Sequence, residues 1–545
     1  MNNESKKVEN TKCQIKLPIV IFLTLASGIF IGSTMFNQNG RNNLQKNIHF
    51  FGEILTYIER DYVDSVNIES LVEEAVDKML EKLDPHTVYI PPKDLQLAKT
   101  QLEGDFEGIG IEFQIIKDTI VVVSPIAGGP SEAVGLKSGD KIIEIDDKEA
   151  TGKQVNTQFV FSKLRGPKNT QVKLKIIRKG IKEPLVFTIV RDKIPTYSVD
   201  TYYMITDEIG YIKISRFAEK TYHEFKQALS VLLSKGMKKL MLDLKDNPGG
   251  YMDRAVNIAD ELLGSNQLIV YTDGKDLKYD NRFYAHNVGS FENGALVVLV
   301  NEASASASEI LAGAIQDNDR GIVVGRRTYG KGLVQMPIPL SDGGELRLTI
   351  SRYYTPSGRC IQKPYAGNLE DYEMDLLKRY EHGEFFSKDS IKLDQKLLYK
   401  TVSGRNVYGG GGIMPDFFVP RDTSYYSNYL GELYNKGVIR EFALNFVNDH
   451  KKSLEKMSLN DFKSKFEVND KILNELIDYA SKSNIPFNPL QFKKSKKIIQ
   501  NSLKAFIAKG IWKQEGFYSI INEIDEIYCE GLKRFDEAEK LVKRN

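Results

Sequence analysis

A chain of 545 residues is too long for one hydrophobic core and implies roughly three or four domains. With 41% hydrophobic and 27% charged residues it has an ordinary globular composition, and Lys+Arg 75 against Asp+Glu 73 leaves a net charge of +2. That balance excludes the basic footprint of a nucleic-acid binder and is compatible with ordered protein partners. The cysteines, Cys13, Cys360 and Cys529, include no CxxC pair. A zinc ribbon, a thioredoxin-type site or a disulfide framework is therefore not expected, and outside the cytosol only Cys360 and Cys529 could pair.

Leu17–Phe36 is apolar or small almost throughout. As a helix it would span about 30 Å, the thickness of a hydrocarbon core. Lys6, Lys7, Lys12 and Lys16 precede it, which keeps residues 1–16 in the cytosol and sends the rest across. The segment 17–36 is read as an uncleaved anchor; a signal peptide cleaved near Ala26–Gly28 and a buried core helix are the alternatives. Residues 45–100 form a helical region, with a periodic stretch from Ile48 that stops at Leu83-Asp84-Pro85-His86.

Residues 105–193 read as a small β domain. Short runs (TIVVVSPI, KIIEI, QVKLKIIR, PLVFTIV) alternate with glycine-rich turns and one short helix, PSEAVG. Residues 200–420 alternate strands (IGYIKI, KKLMLDL, GALVVLV, GIVVG) with helices, the strands being nearly continuous apolar runs as in a sheet covered on both faces. The tail, 425–545, is lysine-rich and helical, and its Lys493–Lys497 cluster is a solvated face. It reads as a dimerisation or docking module, compatible with a homo-oligomer.

The run Asn301–Glu309 (NEASASASE) leads from a buried strand into a helix. Ser306 there is either an N-cap, with Glu309 completing a Ser-x-x-Glu capping box, or a nucleophile whose developing charge the helix start would favour. A nucleophile needs a base, and none of the six histidines sits in a recognisable elbow. A lysine freed of its proton by burial can serve instead, and Lys331 follows the apolar strand GIVVG. Gly325-x-x-x-x-Gly330-Lys331 approaches a P-loop, but Gly332 replaces the magnesium-binding hydroxyl and a strand follows where a helix is needed, so nucleotide binding is not expected.

Four ordered motifs then carry a resemblance: Ser306-Ala-Ser-Glu309, Gly330-Lys331-Gly332-x-x-Gln335, Asp243-x-x-x-Asn247-Pro248-Gly249-Gly250 and Gly409–Gly412-Ile413-x-Pro415-Asp416. Over about 45–420 the sequence resembles the C-terminal processing peptidases, or tail-specific proteases, S41-type serine peptidases with a PDZ domain. The family separates its serine and lysine by 25 residues, as positions 306 and 331 do here.

The resemblance implies a multidomain α/β protein: a ClpP/crotonase-like α/β protease core, a β-rich PDZ domain, a helical N-terminal region and a helical C-terminal extension. It implies an ATP-independent endopeptidase cutting proteins near their C-termini, without cofactor or metal, anchored in the bacterial cytoplasmic membrane with its domains outside. Ser306 is the expected nucleophile, Lys331 the general base and Gln335 the residue orienting the amine. The oxyanion would be held by the backbone of Ala307 and of Gly249 or Gly250. Ser304 and Ser308 rival Ser306 on composition alone. Gly108, Ile109, Gly110 and Ile111 match the carboxylate-binding loop of a PDZ domain, so partners would be proteins with free, apolar C-termini. Arg165 is expected to couple PDZ position to the active site, against a second reading as a solvated arginine. The competing function is a catalytically idle PDZ adaptor tethering protein tails at the membrane.

Overall fold

The computed structural model describes residues 43–543, apart from 117, 127 and 287. The anchor expected over 17–36 and Cys13 lie outside the described residues. Among the described residues no helix is long and apolar enough to cross a membrane. The chain divides into two units, ending and beginning at Leu80 and Glu81. The first holds a helix over residues 43–61 and a second, Ile68–Leu80. The helical periodicity read from Ile48 is thus interrupted at 62–67.

In the second unit the β domain is an antiparallel sheet in the order Ile111–Ile116, Thr119–Pro125, Lys141–Ile145, Gln171–Ile177 and Leu185–Val190. Ile120, Val122, Ile142, Leu174, Ile176 and Ile189 alternate inward to form its core. Ile111–Ile116 is an edge strand. Thr157–Leu164 adds a helix that the sequence did not announce, because TQFVFSKL is rich in β-branched and aromatic residues. The Asn156 side chain accepts from Phe159 N at 2.9 Å and starts it.

The larger core is a six-stranded sheet ordered Val199–Met204, Ile209–Ile214, Lys239–Asp243, Ala295–Val300, Ile322–Gly325 and Phe417–Phe418. All neighbours after the first pair are parallel. Every residue of Ala295–Val300 is buried, as its unbroken apolar sequence requires. Helices Thr221–Ser234, Met252–Leu262 and Ala307–Asp317 pack on one face. The other face is covered by Ile527, Tyr528, Phe535, Ala538 and Leu541, from the last two helices of the chain. The preceding helices, from Asn428 to Ile521, build a separate core around Leu433, Phe462, Leu503 and Ala508.

A second sheet carries the other half of the site. Glu345–Tyr354 pairs with Leu333–Pro339 on one edge; on the other it pairs with Val88–Ile90 and Leu268–Gly274. Leu333–Pro339 is the strand, not a helix, that the near-P-loop was expected to precede. Cys360 and Cys529 are both free.

Candidate active site

Asn301–Ser306 leaves the central strand as a loop held by side-chain to backbone bonds. Asn301 N donates to Ser304 Oγ (2.9 Å), which donates to Leu244 O (2.8 Å). Ser308 Oγ donates to Asn247 O (3.0 Å). Both rival serines are fully buried and bonded to carbonyls, whereas Ser306 keeps part of its surface exposed. Ser306 has φ 56° and ψ −115°, a conformation that costs an L-residue about 1–3 kcal/mol and persists only where its surroundings impose it.

Glu309 supplies much of that imposition. Its buried carboxylate accepts from Ser306 N (2.8 Å) and Lys331 N (2.9 Å) on one oxygen, and from Gly330 N (2.7 Å) and Thr328 Oγ1 on the other. Serine and lysine, on different elements, therefore meet at a single oxygen atom. The capping box read from the sequence is present, but its glutamate reaches much further. Burial pushes its carboxyl up to about 7, against these hydrogen bonds. From the opposite side the buried Tyr353 hydroxyl meets Ser306 O (3.1 Å) and Lys331 O.

Lys331 is half-buried, and among the described residues its amine has no hydrogen-bond or ion-pair partner. Burial lowers its pKa below the ordinary lysine value; Arg347 lowers it further, while Asp84 and Glu309 raise it. Gln335 Nε2 donates to Thr349 Oγ1 (3.1 Å), not to Lys331, so its Oε1 is the end left to accept a lysine N–H. His86 also belongs to this neighbourhood. Burial first, then Lys331, brings its imidazole down to about 4, so it is neutral at neutral pH.

The Asn247–Gly250 turn faces the serine. Gly249 N donates to Asn247 Oδ1 (2.9 Å), while Gly250 N and Ala307 N have no acceptor among the described residues. A Cβ on Gly249, whose φ is 100°, would lie 2.7 Å from Ser306 Cβ and 3.0 Å from Ala307 N. One on Gly250 would lie 2.1 Å from Phe217 O. Close approach, as well as positive φ, requires glycine at both.

In the β domain, Ile109 is buried in the core, and its carbonyl accepts from Ser131 N (3.0 Å) and Ser131 Oγ (2.6 Å). Gly110 takes φ 73°, Gly108 forms a β-bridge with Arg165, and Ile111 opens the edge strand. The Arg165 guanidinium stacks between Phe106 (4.8 Å) and Phe161 (4.0 Å), its Nε buried without a partner. These contacts are inside the β domain and leave the side chain part-buried.

Residues 208–374 match the model of peptidase family S41, 108–186 that of the PDZ domain and 429–513 a family of unknown function, DUF8443. The carboxy-terminal-processing protease of Bartonella bacilliformis is 36% identical over 62% of this chain and 78% of its own. Carboxy-terminal processing protease CtpA of Bacillus subtilis is 31% identical over 71% of this chain and 85% of its own. The solved photosystem II D1 C-terminal processing protease is 30% identical, covering 57% of this chain and 83% of that one, with a TM-score of 0.34. The sequence relatives carry the assignment: this chain belongs to the carboxy-terminal processing proteases, serine-type peptidases of family S41, and bears a PDZ domain.

Proposed function

We propose that this protease works as an ATP-independent endopeptidase with a Ser306–Lys331 pair. The observation that carries the reading is the buried Glu309 carboxylate, which gathers the amides of both residues while Ser304 and Ser308 are bonded to carbonyls. Ser306 Oγ attacks the scissile carbonyl and Lys331 Nζ, neutral in its active form, takes the proton. The oxyanion is received by Ala307 N and Gly250 N, neither of which has another acceptor among the described residues. Lys331 then protonates the leaving amine, and the acyl-enzyme ester is hydrolysed by water with Lys331 again as base. Gln335 Oε1 steadies the amine.

The PDZ domain is proposed to hold the substrate. A C-terminal strand adds to the free edge of Ile111–Ile116, with its carboxylate at the Gly108–Ile111 amides. The Leu17–Phe36 run with its lysine flank supports attachment to a bacterial cytoplasmic membrane, with the catalytic domains on the outer side.

Wild-type and Ser306→Ala proteins, incubated with casein and with a carrier protein bearing an apolar tail, test the proposal. Cleavage by the first alone supports it. Tail binding by both with cleavage by neither identifies an adaptor instead.

A further inference from the structure

The turn Asp84–Thr87 reads in the sequence only as a helix stop. In the fold it leads into Val88–Ile90, which pairs with Glu345–Arg347 in the sheet that carries the lysine side of the site. Asp84 Oδ1 accepts from His86 N (2.7 Å) and Thr87 N (2.9 Å), and Oδ2 from Thr87 Oγ1 (2.6 Å).

Two hydrogen-bonded chains leave this turn. In one, Thr87 Oγ1 accepts from Thr349 N (3.1 Å), and Thr349 Oγ1 accepts from Gln335 Nε2 (3.1 Å). In the other, His86 Nε2 meets the Tyr372 hydroxyl (3.0 Å), which accepts from Gln362 Nε2 (3.1 Å). Gln362 Oε1 in turn accepts from Gly332 N (2.7 Å). The chains end at Gly332, the residue after Lys331, and at Gln335.

We infer that Asp84 is a positioning residue for the Lys331 base, folding the turn from which both hydrogen-bonded chains run. The inference rests on Lys331 being the base. The charged and titratable groups acting on Lys331 come from three elements: Asp84 on the turn, Glu309 on the nucleophile helix and Arg347 on the long strand. His86, on the same turn, is neutral at working pH. Asp84 opposes the effect of burial by favouring the ammonium form, so its removal makes the amine a weaker base that is free at lower pH.

Asp84→Asn keeps the side-chain shape and the Oδ1 acceptor for His86 N and Thr87 N, and removes the charge together with the acceptor for Thr87 Oγ1. The acid limb of kcat/KM against pH is expected to move to lower pH. Carbamylation of Lys331 by cyanate, which consumes only the free amine and is read by peptide mass spectrometry in a Ser306→Ala background, is expected to shift equally. Thr87→Val keeps the charge and cuts the link to Thr349; it should leave the limb in place and lower kcat/KM about tenfold.

An Asp84→Asn protein whose limb and carbamylation midpoint match the wild type overturns the inference and leaves Lys331 as base. A Thr87→Val enzyme with wild-type kcat/KM overturns it too, which keeps the inference exposed if Asp84→Asn does not fold. Activity persisting in Lys331→Ala instead removes the base, and the inference with it.

Discussion

As the base of the proposed mechanism, Lys331 must lose a proton before it can act, and its surroundings lower the cost of doing so. A buried ammonium without a partner is the less stable form, so burial depresses the pKa. The deprotonated fraction rises with pH, and kcat/KM should rise with it and level off below the ordinary lysine value. Lys331→Arg keeps a cation that cannot be deprotonated. It should be as inactive as Lys331→Ala, about three orders of magnitude or more below wild type in a steady-state peptide assay. Substantial turnover by the arginine enzyme would assign the lysine an electrostatic role only. Glu309 is sensitive for another reason. Glu309→Ala leaves the amides of Ser306, Gly330 and Lys331 without their acceptor, each orphaned donor costing about 1–3 kcal/mol. A fall in thermal stability together with lost activity is expected; an unchanged melting temperature would mean that water replaces the carboxylate freely.

At the scale of elements, the sequence was most legible where local pattern and final environment agree. GALVVLV and GIVVG read as buried strands and form Ala295–Val300 and Ile322–Gly325. The serine at the start of the next helix was legible too, and the glycine pair Gly249-Gly250 drew attention as candidate oxyanion donors. What could not be read was which glycine amide stays free, since that depends on the Asn247 side chain turning back to Gly249 N. Val88–Ile90 was invisible because three residues after a proline turn carry no periodicity; its partner lies some 250 residues onward. The helices that cover the far face of the main sheet were legible as helices, but not as part of that core. In the sequence Glu309 shows only as a local cap, because its other partners lie near Lys331, beyond any short-range pattern. The Asn247–Gly250 turn makes its own prediction. Gly249→Ala puts a methyl group against Ser306 and Ala307 N at a φ that alanine resists. We expect kcat to fall at least about a hundredfold, with stability lower by about 1–2 kcal/mol, measured by peptide turnover and denaturant unfolding. Near-normal turnover would show that the loop has room to rearrange.

Across the whole molecule, the arrangement of domains implies a route for the substrate. Ile111–Ile116 pairs on one side only among the described residues, and in the proposed capture a protein tail adds to its other side, its backbone bonding to the edge and its carboxylate to the loop at Gly108–Ile111. The DUF8443-matching region approaches the same strand: Lys509 Nζ lies 2.6 Å from Glu112 Oε1, and Lys179 pairs with Asp449 at 2.7 Å. These are partly or well exposed pairs, worth little each in water and screened by salt. A tail bound there must still reach Ser306 as an extended chain. In the ATP-independent reaction proposed, the substrate's own disorder has to supply that freedom. One carrier protein ending in an apolar free acid, the same tail as an amide, and the same tail ending in Asp separate the contributions. The amide removes a charge from the loop, and Asp places a charge where an apolar side chain is expected. Each should lower kcat/KM by about tenfold or more, through weaker binding of the tail, while a short peptide too small to bridge both domains is cut equally under all conditions. Equal rates for the three tails would mean that the β domain does not read C-termini and that the Ser306 cleft alone selects what is cut.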